Sequence, residues 1–363
     1  MPYSTRQLVT LLAATALAAS PLAAQLSNAS VLGAPTYTSL TFGSGAASRS
    51  VSQLAMPLVV ILPFGEKFSV DVSTAFASSA VKADDSTSSE ISGLTDTQIR
   101  ANLRIGAENL LFTFGVNLPT GQYSVPTEQQ EAAGQIGNDF LFYPISSMGN
   151  GLAMTGGVAY AFPAGNWNFG AGASARKSTE FAAFEVASSD FRFTPADEYR
   201  VSLNADRPVG DGALSLGLTY SAFGEDIADT TTYSTGDRII ATAGWTFPVR
   251  GSDLFLSAWN LYRLDGEVLG DEAPGENVFN LAAALSIPVR DLLVQPNVEA
   301  RLWQVGGVKA GNLATVGLRL RVPVGPLGLF PSAGYSVGTL YSTVDGTGTS
   351  VSGIRASITL RYN

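Results

Sequence analysis

Apolar and polar side chains alternate along much of this chain, in runs of roughly ten residues. The last run, residues 352–363, shows the pattern most clearly. Its apolar positions are Ile354, Ala356, Ile358, Leu360 and Tyr362, and its polar positions are Arg355, Ser357, Thr359 and Arg361. A period of two puts the two sets on opposite faces of a β-strand. The pattern therefore predicts an all-β chain whose strands have one apolar and one polar face.

The same alternation recurs through the chain, and arginines fall on its polar face. The other clear runs are residues 68–76, 98–105, 112–118, 167–174, 199–206, 279–286 and 316–322. Charges in mid-strand are hard to place in lipid and easy to place in a wet lumen. The later turns recur about 40 residues apart, which also suits a secreted β-propeller. Long strands and the alternation of short turns with long polar loops favour a transmembrane antiparallel up-and-down β-barrel.

Counting turns predicts the number of strands. Short turns are expected near Gly65, Ala107, Ala164, Gly210, Arg250, Arg290 and Gly325. Each joins two strands, which makes fourteen, and the closing run adds a fifteenth. Outer-membrane barrels have an even number of strands, which requires one more strand, at residues 37–42. We therefore expect sixteen strands, with fourteen as the alternative. Aromatic residues near the turns predict an interfacial girdle; they are Phe64, Phe68, Phe162, Trp167, Phe247 and Phe330.

The first residues have the form of a secretory signal. Arg6 precedes an apolar run over residues 8–19, and Ser20, Pro21 and small residues follow it. The run is shorter than the ~20 residues of a transmembrane helix. We therefore predict a signal peptide over residues 1–24, a barrel over residues 25–363, and localisation in the cell outer membrane of a Gram-negative bacterium.

Composition narrows the function. The chain is 45% hydrophobic and only 14% charged, which suits a barrel that faces lipid. Its net charge of −9 argues against nucleic acid as a partner. It has no cysteine and no histidine, so the commonest general base and the commonest neutral metal ligand are missing. We therefore predict no enzymatic activity, no cofactor and no metal site.

The long loops are acidic. The carboxylates in question are Asp84, Asp85, Glu90, Glu225, Asp226, Asp229, Asp265, Glu267, Asp271, Glu272 and Glu276. Long loops are extracellular in outer-membrane barrels, so the outer rim is expected to be acidic. The carboxylates either keep the loops solvated or bind divalent cations that bridge to lipopolysaccharide. Outer-membrane lipid and lipopolysaccharide are thus the expected partners, and homo-oligomerisation is left open.

Two short stretches resemble features of known families. The closing run, with an aromatic one residue from its end, resembles the C-terminal signal of outer-membrane barrels, which implies recognition by the barrel-assembly machinery. Residues 118–121, Leu-Pro-Thr-Gly, resemble the strand-exit motif of outer-membrane transporters associated with meta-cleavage phenol degradation, distant relatives of the long-chain fatty-acid transporters. That resemblance implies an apolar binding site, to which Phe140, Phe142 and Tyr143 would turn inward.

The longest loop, residues 120–150, connects the fifth and sixth of sixteen strands, where general porins place the loop that narrows the channel. A short helix is expected over residues 129–135. Acidic loop residues would then face a wall of arginines and create a transverse field. The two sets are Glu128, Glu131 and Asp139 in the loop, and Arg100, Arg104, Arg301, Arg319, Arg321 and Arg355 on the strands. Alternatively, the loop caps the outside and the arginines pair locally.

The function expected from this pattern is passive or facilitated uptake of small solutes through the lumen. The alternative is a non-conducting structural or adhesive barrel with acidic surface loops. If the arginines line the pore, anions should pass preferentially, and replacing Arg319 and Arg321 with alanine should weaken that preference.

Overall fold

The computed structural model describes residues 29–44, 48–83, 88–106, 109–122, 124–141, 143–186, 189–325 and 327–362. The predicted signal peptide, residues 1–24, lies outside the described residues. No helix within these ranges is long and apolar enough to cross a membrane.

Strands β1–β25 dominate the fold. In chain order they are β1 Ser30–Gly33, β2 Thr36–Phe42, β3 Arg49–Phe64, β4 Phe68–Ala83, β5 Ser88–Leu94, β6 Thr97–Ile105, β7 Leu110–Leu118, β8 Val125–Pro126, β9 Ala153–Ala164, β10 Trp167–Ser178, β11 Phe181–Val186, β12 Ser189–Thr194, β13 Glu198–Val209, β14 Gly212–Phe223, β15 Asp226–Ala228, β16 Thr231–Ser234, β17 Arg238–Val249, β18 Ser252–Arg263, β19 Gly266–Val268, β20 Asp271–Ala273, β21 Glu276–Val289, β22 Leu292–Val305, β23 Val308–Val324, β24 Leu327–Tyr341 and β25 Gly348–Tyr362.

Eighteen of these segments form one closed antiparallel sheet. β1 and β2 follow one another between the same two neighbours, β3 and β25, and β5 and β6 follow one another along β4. Each of these pairs counts as one wall strand, so the wall has sixteen strands. Closure comes from β25, which pairs with β24 on one side and with β1 and β2 on the other. A closed sheet leaves no unpaired edge in lipid. The prediction of a sixteen-stranded barrel is confirmed.

The outer face of the wall is apolar. On β25 the outward positions include Ile354, Ile358 and Tyr362, in the phase that the sequence predicts. Val316, with 66% of its surface exposed, and Leu318 take the same orientation on β23. Such a belt is stable only against hydrocarbon. The chain is an outer-membrane β-barrel, and the predicted localisation in the cell outer membrane is confirmed.

One predicted member of the aromatic girdle faces the other way. Phe330 shares its phase on β24 with Ser332 and Ser336, whereas Tyr335 and Val337 point outward. The guanidinium of Arg319 lies 5.1 Å from the centre of its ring. The prediction for Phe330 is therefore wrong, because proximity to a turn does not fix which face of a strand a side chain occupies.

A β-bulge interrupts the wall between β5 and β6. Phe76 of β4 pairs with Leu94, and Ser73 pairs with Gln98, so four steps on one strand oppose three on the other. The inward phase consequently changes between the two segments. The bulge comprises Thr95 and Asp96, and Thr95 bonds Ala75 on β4 in both directions.

The other seven strands form a second sheet, in the order β20-β19-β16-β15-β12-β11-β8. It is assembled from three loops, those between β10 and β13, between β14 and β17, and between β18 and β21. β8, from the loop between β7 and β9, joins it in parallel to β11. We call it the surface sheet. The sequence predicts only polar loops there.

The longest loop, residues 119–152, connects the fifth and sixth wall strands, as expected from the sixteen-strand count. It contains β8, a 3₁₀ turn at Thr127–Gln129 and helix α1 at Gln130–Gly134. A helix is thus present within the range 129–135 that the sequence predicts. Because the loop turns into the barrel, we call it the inward loop.

Candidate functional site

The inward loop packs inside the barrel. Phe140 and Leu141 are 1% and 3% exposed. The ring of Phe140 stacks on Trp303 of β22, with 5.3 Å between the ring centres. Across from it is Gly311 of β23, where an added Cβ would come within 3.0 Å of the phenylalanine Cζ. The loop therefore fills space that in an empty barrel would be lumen.

A hydrophobic cluster holds the loop in place, and we call it the plug. From the loop it contains Val125, Ala132, Phe140, Leu141, Tyr143 and Met148, and from the wall it contains Leu40, Phe42, Val51, Ala77, Val81, Ile91, Leu261, Val278, Leu313 and Val351. These wall residues come from β2–β5, β18, β21, β23 and β25. The predicted aromatic residues Phe140 and Tyr143 thus turn inward and are buried in the plug. Phe142 lies outside the described residues.

Two of the predicted arginines contact the loop through its backbone. Arg301 Nη1 donates to the carbonyl of Phe140 at 2.5 Å, and Arg355 Nη2 donates to the carbonyl of Leu141 at 3.2 Å. Arg301 also pairs with Glu299. Hydrogen bonds from a charged donor contribute about 1.5–3 kcal/mol each. These two arginines therefore fasten the loop tip to the wall.

The other four predicted arginines lie elsewhere on the inward face. Arg100 and Arg104 share the phase of Gln98 and Asn102 on β6, and Arg100 donates to Gln98 Oε1 at 3.4 Å. Arg319 and Arg321 share the phase of Leu313 on β23. The six arginines are thus spread over β6, β22, β23 and β25 and do not form one wall.

The predicted loop carboxylates also have different surroundings. Glu131 forms an ion pair with Arg49 of β3, with 3.7 Å between the charged atoms. The backbone carbonyl of Glu128 accepts a hydrogen bond from Ser89 Oγ at 2.7 Å. Asp139 is half-buried beside Phe140. Arg49 was not among the residues that the sequence singled out.

A cavity of about 660 Å³ remains between the inward loop and the opposite wall. Residues 144–147 and 150 of the loop form one side, and β6, β7, β9, β10 and β13 form the other. Most of the residues that line it carry a hydroxyl or an amide group or are glycines. The charged residues that line it are Asp96, Arg100, Arg176, Glu198 and Arg200.

The cavity has more positive than negative groups, three arginines against two carboxylates. Glu198 is partly neutralised, because Arg200 Nη2 lies 2.6 Å from its Oε1. Arg176 is the cross-strand neighbour of Glu198. Arg176, Glu198 and Arg200 were missed as site residues. The sequence does contain a signal for the two arginines. Arg200 lies on the polar face of its strand, and Arg176 continues the polar positions of β10.

Asp96 of the bulge holds both ends of the inward loop. Its Oδ1 accepts from the backbone N–H of Gly121 at 3.0 Å, and its Oδ2 accepts from the N–H of Asn150 at 2.7 Å. Asn117 Nδ2 donates to the same Oδ2 at 2.8 Å and to the carbonyl of Gly151 at 2.7 Å. We call Asp96 and Asn117 the loop clamp.

The glycine of the Leu-Pro-Thr-Gly stretch lies against this clamp. A Cβ on Gly121 would come within 2.1 Å of the carbonyl oxygen of Met148 and 2.7 Å of the Asp96 nitrogen. No other residue fits such an approach without a backbone shift. Next to it, the hydroxyls of Thr120 and Thr97 are 2.8 Å apart. The stretch therefore turns the chain from the rim into the lumen.

Comparisons with known proteins find likeness in architecture only. No protein-family model matches the sequence, and no curated protein matches it. Among solved structures, OmpT of Vibrio cholerae is 12% identical, with 92% of this chain and 97% of that chain covered and a TM-score of 0.44. An anion-selective porin from Comamonas acidovorans is 14% identical, covers 92% and 99%, and has a TM-score of 0.44. An outer membrane channel from Pseudomonas putida F1 is 12% identical, covers 92% and 94%, and has a TM-score of 0.40. At such values the likeness assigns no role to any residue of this chain.

Proposed function

We propose that this barrel is a channel for small polar solutes, which pass beside the inward loop along the wall formed by β6, β7, β9, β10 and β13. The cavity of about 660 Å³ is the observation that carries the proposal. Its volume falls within the ~300–1,000 Å³ of small-molecule sites. Its polar lining contrasts with the apolar plug on the other side of the lumen, so a hydrated solute has one favourable route.

We further propose that the route favours small anions. Arg100, Arg176 and Arg200 line it, and two carboxylates oppose them. Asp96, one of the two, already accepts three hydrogen bonds from the loop and Asn117. In a narrow lumen the remaining positive charge attracts anions more strongly than it would in bulk water. The histidine-free sequence supports passage of the solute without chemical conversion.

Planar-bilayer conductance tests the route itself. Thr155 lines the cavity, whereas its neighbour Met154 points outward. We expect the unmodified protein to conduct and Thr155→Trp to lower the single-channel conductance, because the added ring occupies the route. Met154→Trp is the matched control and should conduct normally. Equal conductance of both variants would contradict the proposed route.

Reversal potentials in a salt gradient test the preference for anions. A unit charge about 6 Å from an ion in water contributes about 0.7 kcal/mol, or about threefold in partition. The same charge attracts an anion and repels a cation, so we expect Arg176→Gln to lower the anion-to-cation permeability ratio by the square of that factor, about tenfold. Arg319→Ala and Arg321→Ala, which lie outside the cavity lining, should change it less. The proposal fails if the Arg319 and Arg321 variants have the larger effect.

A non-conducting structural or adhesive barrel is the second candidate function. The plug favours it, because a hydrophobic cluster seals one side of the lumen. The surface sheet would then be the part that meets a partner. A bilayer that stays sealed at all voltages after insertion of the folded protein would decide for this alternative.

A further inference from the structure

On the outer face of the barrel, one arginine lies among residues that face lipid. The outward face of β13 carries Tyr199, Val201 and Leu203. Arg207 lies on the same face, closer to the turn that follows Val209. Its neighbour Asp206 takes the opposite phase and accepts a hydrogen bond from Asn168 at 2.9 Å. Short turns of outer-membrane barrels are periplasmic, so Arg207 lies near the periplasmic boundary of the hydrocarbon.

The environment of Arg207 leaves it available to an anion. Its guanidinium carbon lies 5.0 Å from the centre of the Trp167 ring, and its Nε is buried without a hydrogen-bond partner. Among the acidic residues that the structure describes, none forms an ion pair with it. Tryptophan is enriched where headgroups meet hydrocarbon. At that depth the nearest abundant anion is a lipid phosphate.

A shallow apolar hollow is lined by Leu203 and Ala205, which precede this arginine on the same face of β13. Its volume is about 300 Å³. Phe162, Phe169, Leu203, Leu216 and Leu218 form its sides, and small residues such as Ala171 and Ala205 form its floor. Phe169 stacks on Phe162 at 5.5 Å and lies 6.0 Å from Trp167, so an aromatic row leads from the hollow to the arginine.

We propose that Arg207, Trp167 and this hollow bind one phospholipid of the periplasmic leaflet. The hollow takes an acyl chain, because its sides and floor are apolar and face lipid. The guanidinium takes the phosphate, since its planar donors match phosphate oxygens in geometry and charge. The proposal commits to a phospholipid, because the site lies at the periplasmic end of the barrel. It does not depend on whether the barrel conducts.

Native mass spectrometry of the folded, detergent-solubilised barrel tests this site. The probes are phosphatidylglycerol and a diacylglycerol with the same chains but no phosphate. We expect one tightly held phosphatidylglycerol, and about tenfold weaker retention in Arg207→Gln, the factor for loss of one charge-assisted contact. Arg207→Lys should retain part of the binding. Arg321→Gln, an arginine on the inward face of the periplasmic half, is the matched control and should bind as the unmodified protein does.

Folding of each variant is verified by heat-modifiable migration, which separates loss of the site from loss of the barrel. Retention that is equal in Arg207→Gln and in the unmodified protein would overturn the proposal. So would equal binding of diacylglycerol and phosphatidylglycerol, because the phosphate would then contribute nothing. Arg207-dependent binding of lipopolysaccharide in preference to phosphatidylglycerol would overturn the assignment to the periplasmic leaflet.

Discussion

At the scale of single residues, Asp96 decides where the inward loop begins and ends. Its carboxylate accepts from Gly121 at one end and from Asn150 at the other. The β-bulge makes this possible, because the change of phase there points Asp96 into the lumen. One inserted residue in the wall thus positions a loop of more than thirty residues.

Gly121 is sensitive to even a minimal change of side chain. An alanine Cβ would overlap backbone atoms of Met148 and Asp96, and overpacking of this kind costs about 1–3 kcal/mol. We expect Gly121→Ala to loosen the loop, so that protease cuts it faster and channel current becomes noisier, while the barrel stays heat-modifiable. Gly134, in α1, is the matched control, since a Cβ there meets no atom within 4 Å. Equal protease sensitivity of Gly121→Ala and Gly134→Ala would show that the close approach does not restrain the loop.

A buried carboxyl makes the surface sheet sensitive to pH. Burial raises the pKa of Asp226 above its ordinary value of 3.8, although the Ala196 N–H donates to it at 2.9 Å. Burial and the same carboxylate raise the pKa of Tyr233 to about 12. Because the folded sheet disfavours ionised Asp226, the stability of the sheet is highest below pH 3.8. It declines as the pH rises through the folded-state pKa of Asp226.

Hydrogen exchange of residues 226–234 measures this dependence. We expect protection to fall by up to about tenfold per pH unit within that window, and to be nearly independent of pH in Asp226→Asn. Asp271→Asn, at an exposed position of the same sheet, is the control and should keep the dependence. Protection that increases with pH in the unmodified protein would contradict the expected direction.

At the scale of elements, the wall strands could be predicted from the sequence and the surface sheet could not. Wall strands need apolar residues at every second position, because one face meets lipid, and this periodicity is visible in the sequence. β15, β16, β19 and β20 have only three or four residues each, too few to show a period. Their pairing depends on which loops are neighbours around the rim, and that follows from closure of the barrel.

The candidate site, like the fold, could be predicted only in part from the sequence. Strand alternation predicted that Arg100 and Arg355 face inward, and the position of the longest loop was also predictable. What each arginine contacts was not, because it depends on the path of the loop. Arg301 and Arg355 meet backbone carbonyls, which every residue has, so the loop sequence carries no trace of these contacts.

At the scale of the whole molecule, the plug divides the lumen into a sealed side and an open side. Arg301 and Arg355 hold the tip of the loop to the sealed side. We expect the double variant Arg301→Gln and Arg355→Gln to conduct more than the unmodified protein, because the tip loses two hydrogen bonds of about 1.5–3 kcal/mol each. The double variant Arg319→Gln and Arg321→Gln also removes two positive charges, but neither arginine contacts the loop tip among the described residues, and its conductance should change less. Equal conductance of the double variant and the unmodified protein would show that other plug contacts suffice.

The plug also crosses the junction between the first and last wall strands. Arg355 of β25 donates to the Thr38 hydroxyl of β2 at 3.4 Å and to the loop carbonyl of Leu141, and Val351 and Leu40 pack in the same cluster. The junction where the barrel closes is therefore held by the backbone pairing of β2 with β25 and, on its inner side, by contacts with the loop tip. Lateral passage of a lipid or a nascent chain between β2 and β25 would require the loop tip to leave first. The bound loop therefore opposes lateral opening of the barrel at this junction.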